Sequence, residues 1–328
     1  MNLTFDQMYQ ELSKKHRPHL EAIRNSIKRK LWVAGAFFFF MALLGLWFFQ
    51  NFGMHILVFI SMLFLLCMHF LKRPYVRYFR ENVAKSFVAL VDESLSYSPE
   101  PPNSRLILSD YHIPGFDGSG FLGTRAMRPV STVGSPGLSN YITGRLDNKP
   151  FYLCCMSLDA TGNKDKTKFK GLFVSMKAAK PLNGFIKAQR KIFQLNILGS
   201  GFIPKSEAKK MDSPAFERDF SVGSNDQITA MKYLTADVME LLINFKNELI
   251  DVQTRFDRSL IPQNPNHINL DFFWRGDEIY MRIGNKKMFK PTLRDPMCKD
   301  SLACCFSSLS FATKFNQIIA KSIEETAI

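Results

Sequence analysis

The sequence predicts an α+β protein: an N-terminal helical region with a transmembrane helical hairpin, followed by a cytoplasmic domain with a mainly antiparallel sheet and two long helices. Two apolar runs, residues 31–49 and 54–71, carry no charged side chain and predict the hairpin. At 1.5 Å per residue, each run nearly spans the roughly 30 Å hydrocarbon core of a bilayer. Short strands followed by long amphipathic helices, without regular βαβ alternation, predict the α+β domain.

Residues 1–30 are predicted to form amphipathic, basic leader helices. Thr4 and Gln7 fit a capping box at the start of the first helix, and Pro18 is expected to break or kink the run. Apolar residues recur every three or four positions, so the leader has one apolar face. Two interpretations of this face stay open: an anchor lying in the plane of the membrane surface, or a cytoplasmic helix packed on the main domain.

Basic side chains flank both predicted spans, whereas the connector at 50–53 carries none. The positive-inside rule therefore places both termini in the cytoplasm and the turn on the outer side. Tryptophans near the two ends of the first span favour the membrane interface. The predicted interface and headgroup residues are Arg24, Lys28, Arg29, Lys30, Trp32, Trp47, Lys72, Arg73 and Arg77. A signal peptide is rejected, because the polar lead is 30 residues long and no small-residue cleavage site follows.

The net charge of +14 is concentrated beside the predicted hairpin. The first 80 residues contain eleven Lys and Arg against three Asp and Glu, and so contribute +8. We therefore expect anionic lipid headgroups rather than nucleic acid as the partner, because a nucleic-acid-binding protein carries its basic cluster on the folded domain. The cytoplasm is reducing, so the five cysteines after the hairpin are predicted to be core residues rather than disulfides.

The rest of the chain divides into three parts. Residues 72–98 are predicted to form a juxtamembrane helix that continues to about Leu95. Residues 99–140 are rich in proline and glycine and predict a linker and loop. The cytoplasmic α+β domain covers 141–328.

Within this domain, alternating apolar residues predict strands at 151–158, 168–177 and 216–222. Residues 268–274 and 278–283 predict a hairpin across Arg275-Gly276-Asp277, where Gly-Asp favours a tight turn. Thr235 is predicted to cap the first long helix, and the second runs from about residue 300 to 325.

Motifs that carry chemistry are weak in this sequence. Residues 118–123 have G-x-G-x-x-G spacing, but Pro129 leaves no room for the helix that a nucleotide site requires, so we predict a loop. The cysteines lack metal-site spacing, and neither a metal nor another cofactor is predicted. His112 and His267 are the two histidines after the hairpin, and the sequence cannot place either beside a cysteine.

Alternate lysines form the one pattern with a chemical interpretation. These residues are Lys164, Lys166, Lys168 and Lys170. Residues two apart in a strand share a face, so the set predicts either a face for an anionic ligand, such as lipid or an acidic partner, or the protection of an edge strand against aggregation.

Six segments carry a resemblance to a known family. They are Lys-Phe-Lys-Gly-Leu-Phe-Val at 168–174, Ser-Pro-Ala-Phe-Glu-Arg-Asp-Phe-Ser-Val at 213–222, Asp-Gln-Ile-Thr-Ala at 226–230, Leu-Thr-Ala-Asp-Val-Met at 234–239, Glu-Ile-Tyr-Met-Arg-Ile at 278–283 and Met-Phe-Lys-Pro-Thr-Leu at 288–293. With its leader and hairpin, the chain resembles a bacterial domain-of-unknown-function family of two-span membrane proteins, some encoded near LemA-type proteins. The resemblance implies an integral protein of the bacterial inner membrane with a cytoplasmic domain, and it implies no catalytic residues.

We therefore expect a membrane-anchored cytoplasmic interaction module that binds a protein partner or anionic lipid headgroups, and that could form a homo-oligomer. The sequence shows no catalytic constellation, although it does not exclude an enzyme. Two alternatives stay open. One is a membrane-surface enzyme whose thiol or His/Asp site is assembled by the fold. The other is a type IV secretion effector that inserts in a host membrane, for which Glu324-Glu325 provide an acidic C-terminal feature.

Overall fold

The chain divides into two compact units. The helical unit consists of Thr4–Phe87 and Phe289–Cys298, and the sheet unit consists of Val88–Met288 and Lys299–Ile328. The structure is a computed structural model that describes residues 4–48, 53–100, 137–146, 148–159, 167–191, 203, 207–256, 268–284, 288–289, 291, 293 and 295–324.

Helices account for most of the helical unit. They are α1 (Phe5–Phe48), α2 (Gly53–Tyr78), a π-helix (Phe79–Ala84) and α3 (Lys85–Val91), which continues into the sheet unit. The predicted capping box is confirmed: the Thr4 N–H donates to Gln7 Oε1 at 2.9 Å, and the Gln7 N–H donates to Thr4 Oγ1 at 3.4 Å. The predicted break at Pro18 is wrong, because α1 continues through it. Buried Leu12 and Leu20 hold the helix on either side of the proline.

One row of side chains along α1 is buried within the helical unit, and both interpretations of the leader stay predictions. This buried seam contains Met8, Leu12, His16, Leu20 and Ile27 of α1, together with Tyr75, Phe79, Val83 and Phe87. The rings of Phe79 and Phe87 both pack on Phe289, with centroid distances of 6.5 and 6.3 Å.

The sheet unit combines seven strands and four helices in the described part of the chain. The strands are β1 (Leu95–Ser98), β2 (Gly137–Leu146), β3 (Lys149–Asp159), β4 (Thr167–Arg190), β5 (Ala208–Lys209), β6 (Phe220–Ser224) and β7 (Leu270–Gly284). The helices are α4 (Pro214–Asp219), α5 (Gln227–Tyr233), α6 (Ala236–Phe256) and α7 (Lys299–Glu324). The structure thus confirms the α+β class and the two long helices of this domain.

All of the strand pairs are antiparallel, in the order β1-β2-β3-β4-β6-β5, with β7 paired to β4. β7 folds back on itself, since the Gly284 N–H donates to the Asn269 carbonyl at 2.7 Å and the rings of Phe273 and Tyr280 lie 6.5 Å apart. These contacts confirm the predicted hairpin across Gly276.

β4 encloses this hairpin between its two halves. Residues 171–177 of β4 pair with 278–284, and residues 185–189 pair with 271–275. The first half of β4 also pairs with β3, and the second half with β6. The strand order at the centre of the sheet is therefore β3, the first half of β4, the two arms of β7, the second half of β4 and β6.

Each face of the central sheet is apolar. On one face Phe315 of α7 contacts Phe272 at 5.3 Å and Trp274 at 5.8 Å between ring centroids. The other face contains a buried cluster of Tyr141, Tyr152, Cys154, Met156, Phe173, Phe273 and Tyr280.

Two sequence predictions about element boundaries are wrong. The juxtamembrane helix ends at Val91 instead of Leu95, because the Ser94 N–H donates to Asp92 Oδ1 in a turn, and β1 follows. Residues 216–222 are only partly a strand, since α4 occupies 214–219 before β6 begins. Ser213 caps this helix by accepting the Phe216 N–H at 3.3 Å, and Pro214 occupies its first position.

The capping prediction for α6 is confirmed. Thr235 Oγ1 accepts the Val238 N–H at 3.4 Å, and α6 begins at Ala236. The final helix, Lys299–Glu324, also agrees with its predicted bounds to within one residue.

Candidate membrane-binding site

Large apolar side chains are exposed on the part of the helical unit that the sequence predicts to lie in a membrane. These residues, named here the apolar belt, are Trp32, Val33, Phe37, Phe39, Phe40, Met41 and Leu43 of α1 and Val58, Phe59, Met62, Leu63, Leu65, Leu66 and Phe70 of α2. Soluble proteins rarely expose contiguous apolar surface of this extent. The belt therefore contrasts with the buried seam, and an apolar surface of this kind marks a contact with a membrane or with another protein.

Contacts between the helices show that α1 and α2 run antiparallel. Phe38 of α1 packs edge-on against Phe64 of α2 at 5.6 Å between centroids, whereas the His19 ring lies 4.3 Å from Tyr78. Residue numbers therefore fall along α1 as they rise along α2. The apolar belt of each helix lies at the same level, with the buried seam at the other end.

Basic residues border the belt on both helices, where they overlap the end of the seam at Ile27 and Tyr75. This basic collar comprises Arg24, Lys28, Arg29, Lys30, Lys72, Arg73 and Arg77. All of them are exposed except Arg24 and Lys72, which are half-buried. The Arg73 guanidinium lies 4.3 Å from the centroid of the Phe70 ring, a cation–π contact at the border of the belt. Cations at this level match the position of lipid headgroups around an apolar segment.

One helical stretch in the described part of the chain, Val58–Val91, is long and apolar enough to cross a membrane. It contains most of the second predicted span and the basic residues that follow it. The side chains of the first predicted span, 31–49, are described only as far as Leu44, and Trp47 lies outside the described set. Trp32 is 80% exposed, as an interfacial tryptophan would be. The two-span hairpin thus stays a prediction.

A buried histidine joins α1 to the segment after α2. His16 is 6% exposed, its Nδ1 lies 3.4 Å from the Tyr78 hydroxyl, and its Nε2 lies 3.3 Å from the Ser86 hydroxyl. Eight residues of regular α-helix would leave two side chains about 80° apart around the axis. The π-helix between Tyr78 and Ser86 fits more residues into each turn, and so brings both hydroxyls towards His16.

We expect the helical unit to lose stability in mild acid because of His16. Burial lowers the pKa of its imidazole below 6.5, and Lys15 and His19 lower it further. The neutral ring is favoured in the folded state, so this stability is complete above about pH 6.5 and is lost as the pH falls through the lowered pKa. Thermal unfolding of the full chain in detergent at several pH values measures the effect. His16→Gln should flatten the acidic limb of the profile, and identical profiles for the two proteins would contradict this assignment.

The structure does not decide between a ligand face and edge protection for the alternate lysines. Lys164 and Lys166 lie outside the described residues, and of Lys168 only the strand position in β4 is described. Lys170 is exposed and pairs with Ser157 of β3, whereas β7 begins to pair with β4 only at Gly171. A ligand face and protection of a strand edge both stay predictions.

Sequence reasoning missed a buried group of charges in the sheet. Lys187, Asp271 and Arg282 are each 7–8% exposed, and Arg282 Nη2 donates to Asp271 Oδ2 at 2.5 Å. Burial lowers the pKa of the Lys187 ammonium and Arg282 adds to this effect, while Asp271 opposes it. A signal was present in the sequence, because Asp271 and Arg282 lie five residues either side of the central Gly276-Asp277 pair and so face each other across the hairpin.

The cysteines of the domain behave mainly as core residues, as predicted. Cys154, Cys298, Cys304 and Cys305 are buried, and burial raises the pKa of the Cys154 and Cys305 thiols, which makes them poor nucleophiles. Cys155 is half-buried, and its Sγ accepts the Met288 N–H at 3.0 Å. Among the described residues, no group of three or more His, Cys, Asp and Glu side chains is placed to hold a metal ion. His112, His267 and the glycine-rich 118–123 lie outside those residues.

Comparison with known proteins supports a domain of unknown function. The family described as "Protein of unknown function (DUF3137)" matches residues 167–320, just under half of the chain. The two-span topology and the link to LemA-type proteins that the resemblance implied stay predictions. The crystal structure of the mycobacterial trehalose monomycolate transport factor A, TtfA, matches 74% of this chain and 94% of its own, at 9% identity and a TM-score of 0.35. A likeness at this score carries no argument about fold or function. No curated protein matches the chain.

Proposed function

We propose that the chain is a membrane-anchored interaction module. α1 and α2 cross the bilayer as a two-span hairpin, the basic collar binds anionic headgroups, and the α+β domain lies in the cytoplasm, where it binds a protein partner. The observation that carries this proposal is the change of surface along the antiparallel α1 and α2. Their apolar residues are buried in the seam at one end and exposed in the belt at the other, and the collar lies at the junction of the two.

Energetics support placing the belt in hydrocarbon. Each large apolar side chain contributes about 1.5–3 kcal/mol when it is removed from water. Fourteen such side chains are exposed in the belt, so moving half of them from water into lipid contributes roughly 10–20 kcal/mol. Exposure of the same residues to water would instead favour aggregation.

The test places lysines in the belt of α2. Phe59 and Met62 are exposed and lie on the same side of the helix, so Phe59→Lys with Met62→Lys puts two charges near the middle of the predicted span. Each lysine costs about 2.5–3.5 kcal/mol at that depth. We expect the wild type to resist extraction from membranes by alkaline carbonate and the double-lysine variant to be extracted or aggregated.

Phe59→Leu with Met62→Leu is the matched control, which should remain in the membrane. Equal retention of the leucine and lysine variants would reject a bilayer location for α2. The orientation is tested in the same strain with reporters fused after residue 328 and inserted in the connector at 50–53. A cytoplasmic signal is expected only at the first position, and any other pattern contradicts the proposed topology.

A further inference from the structure

The sheet unit presents a small apolar surface that its own fold does not use. Ile228 and Met231 are the two large apolar side chains that are exposed in the described part of this unit, at 79% and 39%. They lie three residues apart on α5, and so occupy one side of this short helix.

The opposite side of α5 is held firmly to the sheet. Ala230 and Leu234 are buried, and the Tyr233 ring packs edge-on against Trp274 at 5.1 Å. The Tyr233 hydroxyl also donates to the Pro181 carbonyl at 3.2 Å. Asp226 fixes the start of the helix by accepting the Thr229 N–H at 2.7 Å. These contacts fix the orientation of α5, and this orientation keeps the Ile228 side chain exposed.

Lysines border this apolar pair. Lys232 is exposed on α5 itself, and the Lys210 carbonyl accepts from the Gln227 side chain, which places exposed Lys210 beside the start of the helix. The Thr229 hydroxyl and backbone N–H donate to Asp226 and lower the pKa of its carboxyl, and the charge of Lys209 adds to this effect. An apolar pair bordered by lysines matches the surface of an anionic bilayer, where apolar side chains enter the acyl boundary and ammonium groups meet phosphates.

The size of the surface also favours a bilayer over a protein. A standard protein interface buries about 800 Å² on each partner, far more than two side chains provide. A contact this small is useful only when a tether supplies the other partner at high effective concentration. A chain anchored in a membrane meets this condition for the bilayer.

We propose that α5 is a second membrane contact, in which Ile228 and Met231 insert in the lipid interface and hold the α+β domain against the bilayer. This inference rests on the proposed function, because it requires the membrane anchor. It adds a defined docking surface on the folded domain, distinct from the apolar belt and the basic collar.

The experiment places a photoreactive benzophenone amino acid at Ile228 in the full chain. The matched control carries it at Glu240, an exposed residue of α6. Both proteins are reconstituted in vesicles of phosphatidylcholine and phosphatidylglycerol, irradiated and analysed by mass spectrometry. We expect phospholipid adducts at position 228 to exceed those at 240 by about tenfold, and Met231→Ser to reduce the excess about fivefold, since each apolar side chain contributes about 1 kcal/mol at the interface.

Equal adducts at the two positions would overturn the proposal, and so would a predominant adduct between protein chains, which would assign the surface to a second copy. Carbonate resistance is measured on the same vesicles. If the chain resists carbonate but position 228 forms no excess of lipid adduct, the second contact is wrong and the membrane anchor stands. If the chain is extracted by carbonate, the anchor itself is wrong.

Discussion

Replacing Asp271 with alanine is expected to destabilise the sheet unit by about 3–5 kcal/mol, because it leaves Arg282 and Lys187 as buried cations without their shared carboxylate. The Asp271–Arg282 pair is at most 10% exposed, so water cannot readily take the place of the lost partner. Pulse proteolysis of the full chain in detergent, across a urea series, measures the loss as a shift of the unfolding midpoint.

The same hairpin provides a matched control for Asp271. Asp277 pairs with Lys177 at 2.8 Å, but both side chains are about half exposed. Asp277→Ala should therefore change stability by less than about 1 kcal/mol. Asp271→Leu combined with Arg282→Met should recover much of the loss, since apolar residues often replace a buried ion pair without cost. If Asp271→Ala and Asp277→Ala lowered the free energy of unfolding equally, burial of the Asp271–Arg282 pair would not determine its contribution to stability.

Phe315→Ala is expected to destabilise the same unit by about 3–5 kcal/mol, because it opens a cavity between α7 and the sheet. The Phe315 ring is fully buried and contacts the rings of Phe272, Trp274 and Phe311, all within 5.8 Å. The loss is measured by the same urea series, and tryptophan fluorescence of a variant that keeps Trp274 as its one tryptophan reports the local change.

Phe315→Leu keeps most of the side-chain volume and should cost less than half as much as the alanine substitution. Lys314→Ala, at the exposed neighbouring position, should change stability by less than about 0.5 kcal/mol. If the leucine and alanine variants unfolded at the same urea concentration, the packing of α7 on the sheet would not depend on the volume at this position.

Local signals explain which parts of the fold could be predicted from the sequence. Thr4, Gln7 and Thr235 cap helices through bonds that reach only three residues along the chain, so the pattern is complete within one short segment. The hairpin around Gly276 is local in the same sense, since both of its arms and the turn lie within Leu270–Gly284. Predictions of this kind agree with the structure.

Pairing between distant segments explains what could not be predicted. β4 continues to Arg190 through Pro181 and Gly184, which are usually strand breakers, because β6 and β7 pair with its second half. The π-helix that aligns Tyr78 and Ser86 with His16 depends on contact with α1 and has no established local signature. The basic collar and the apolar belt are the reverse case, since charge and hydropathy alone indicated them, and the structure adds their alignment on two antiparallel helices.

The position of β7 between the two halves of β4 has a consequence for synthesis of the chain. β4 is complete at Arg190, but β7 begins only at Leu270, about 80 residues later. At the usual elongation rates of about 5–20 residues per second, the ribosome needs about 4–16 s to make that stretch. During this interval the inner edges of β4 lack their partner strand and are open to pairing with other chains. The nascent protein is therefore most vulnerable to aggregation before its last strand emerges, and a chaperone that covers β4 would act in that window.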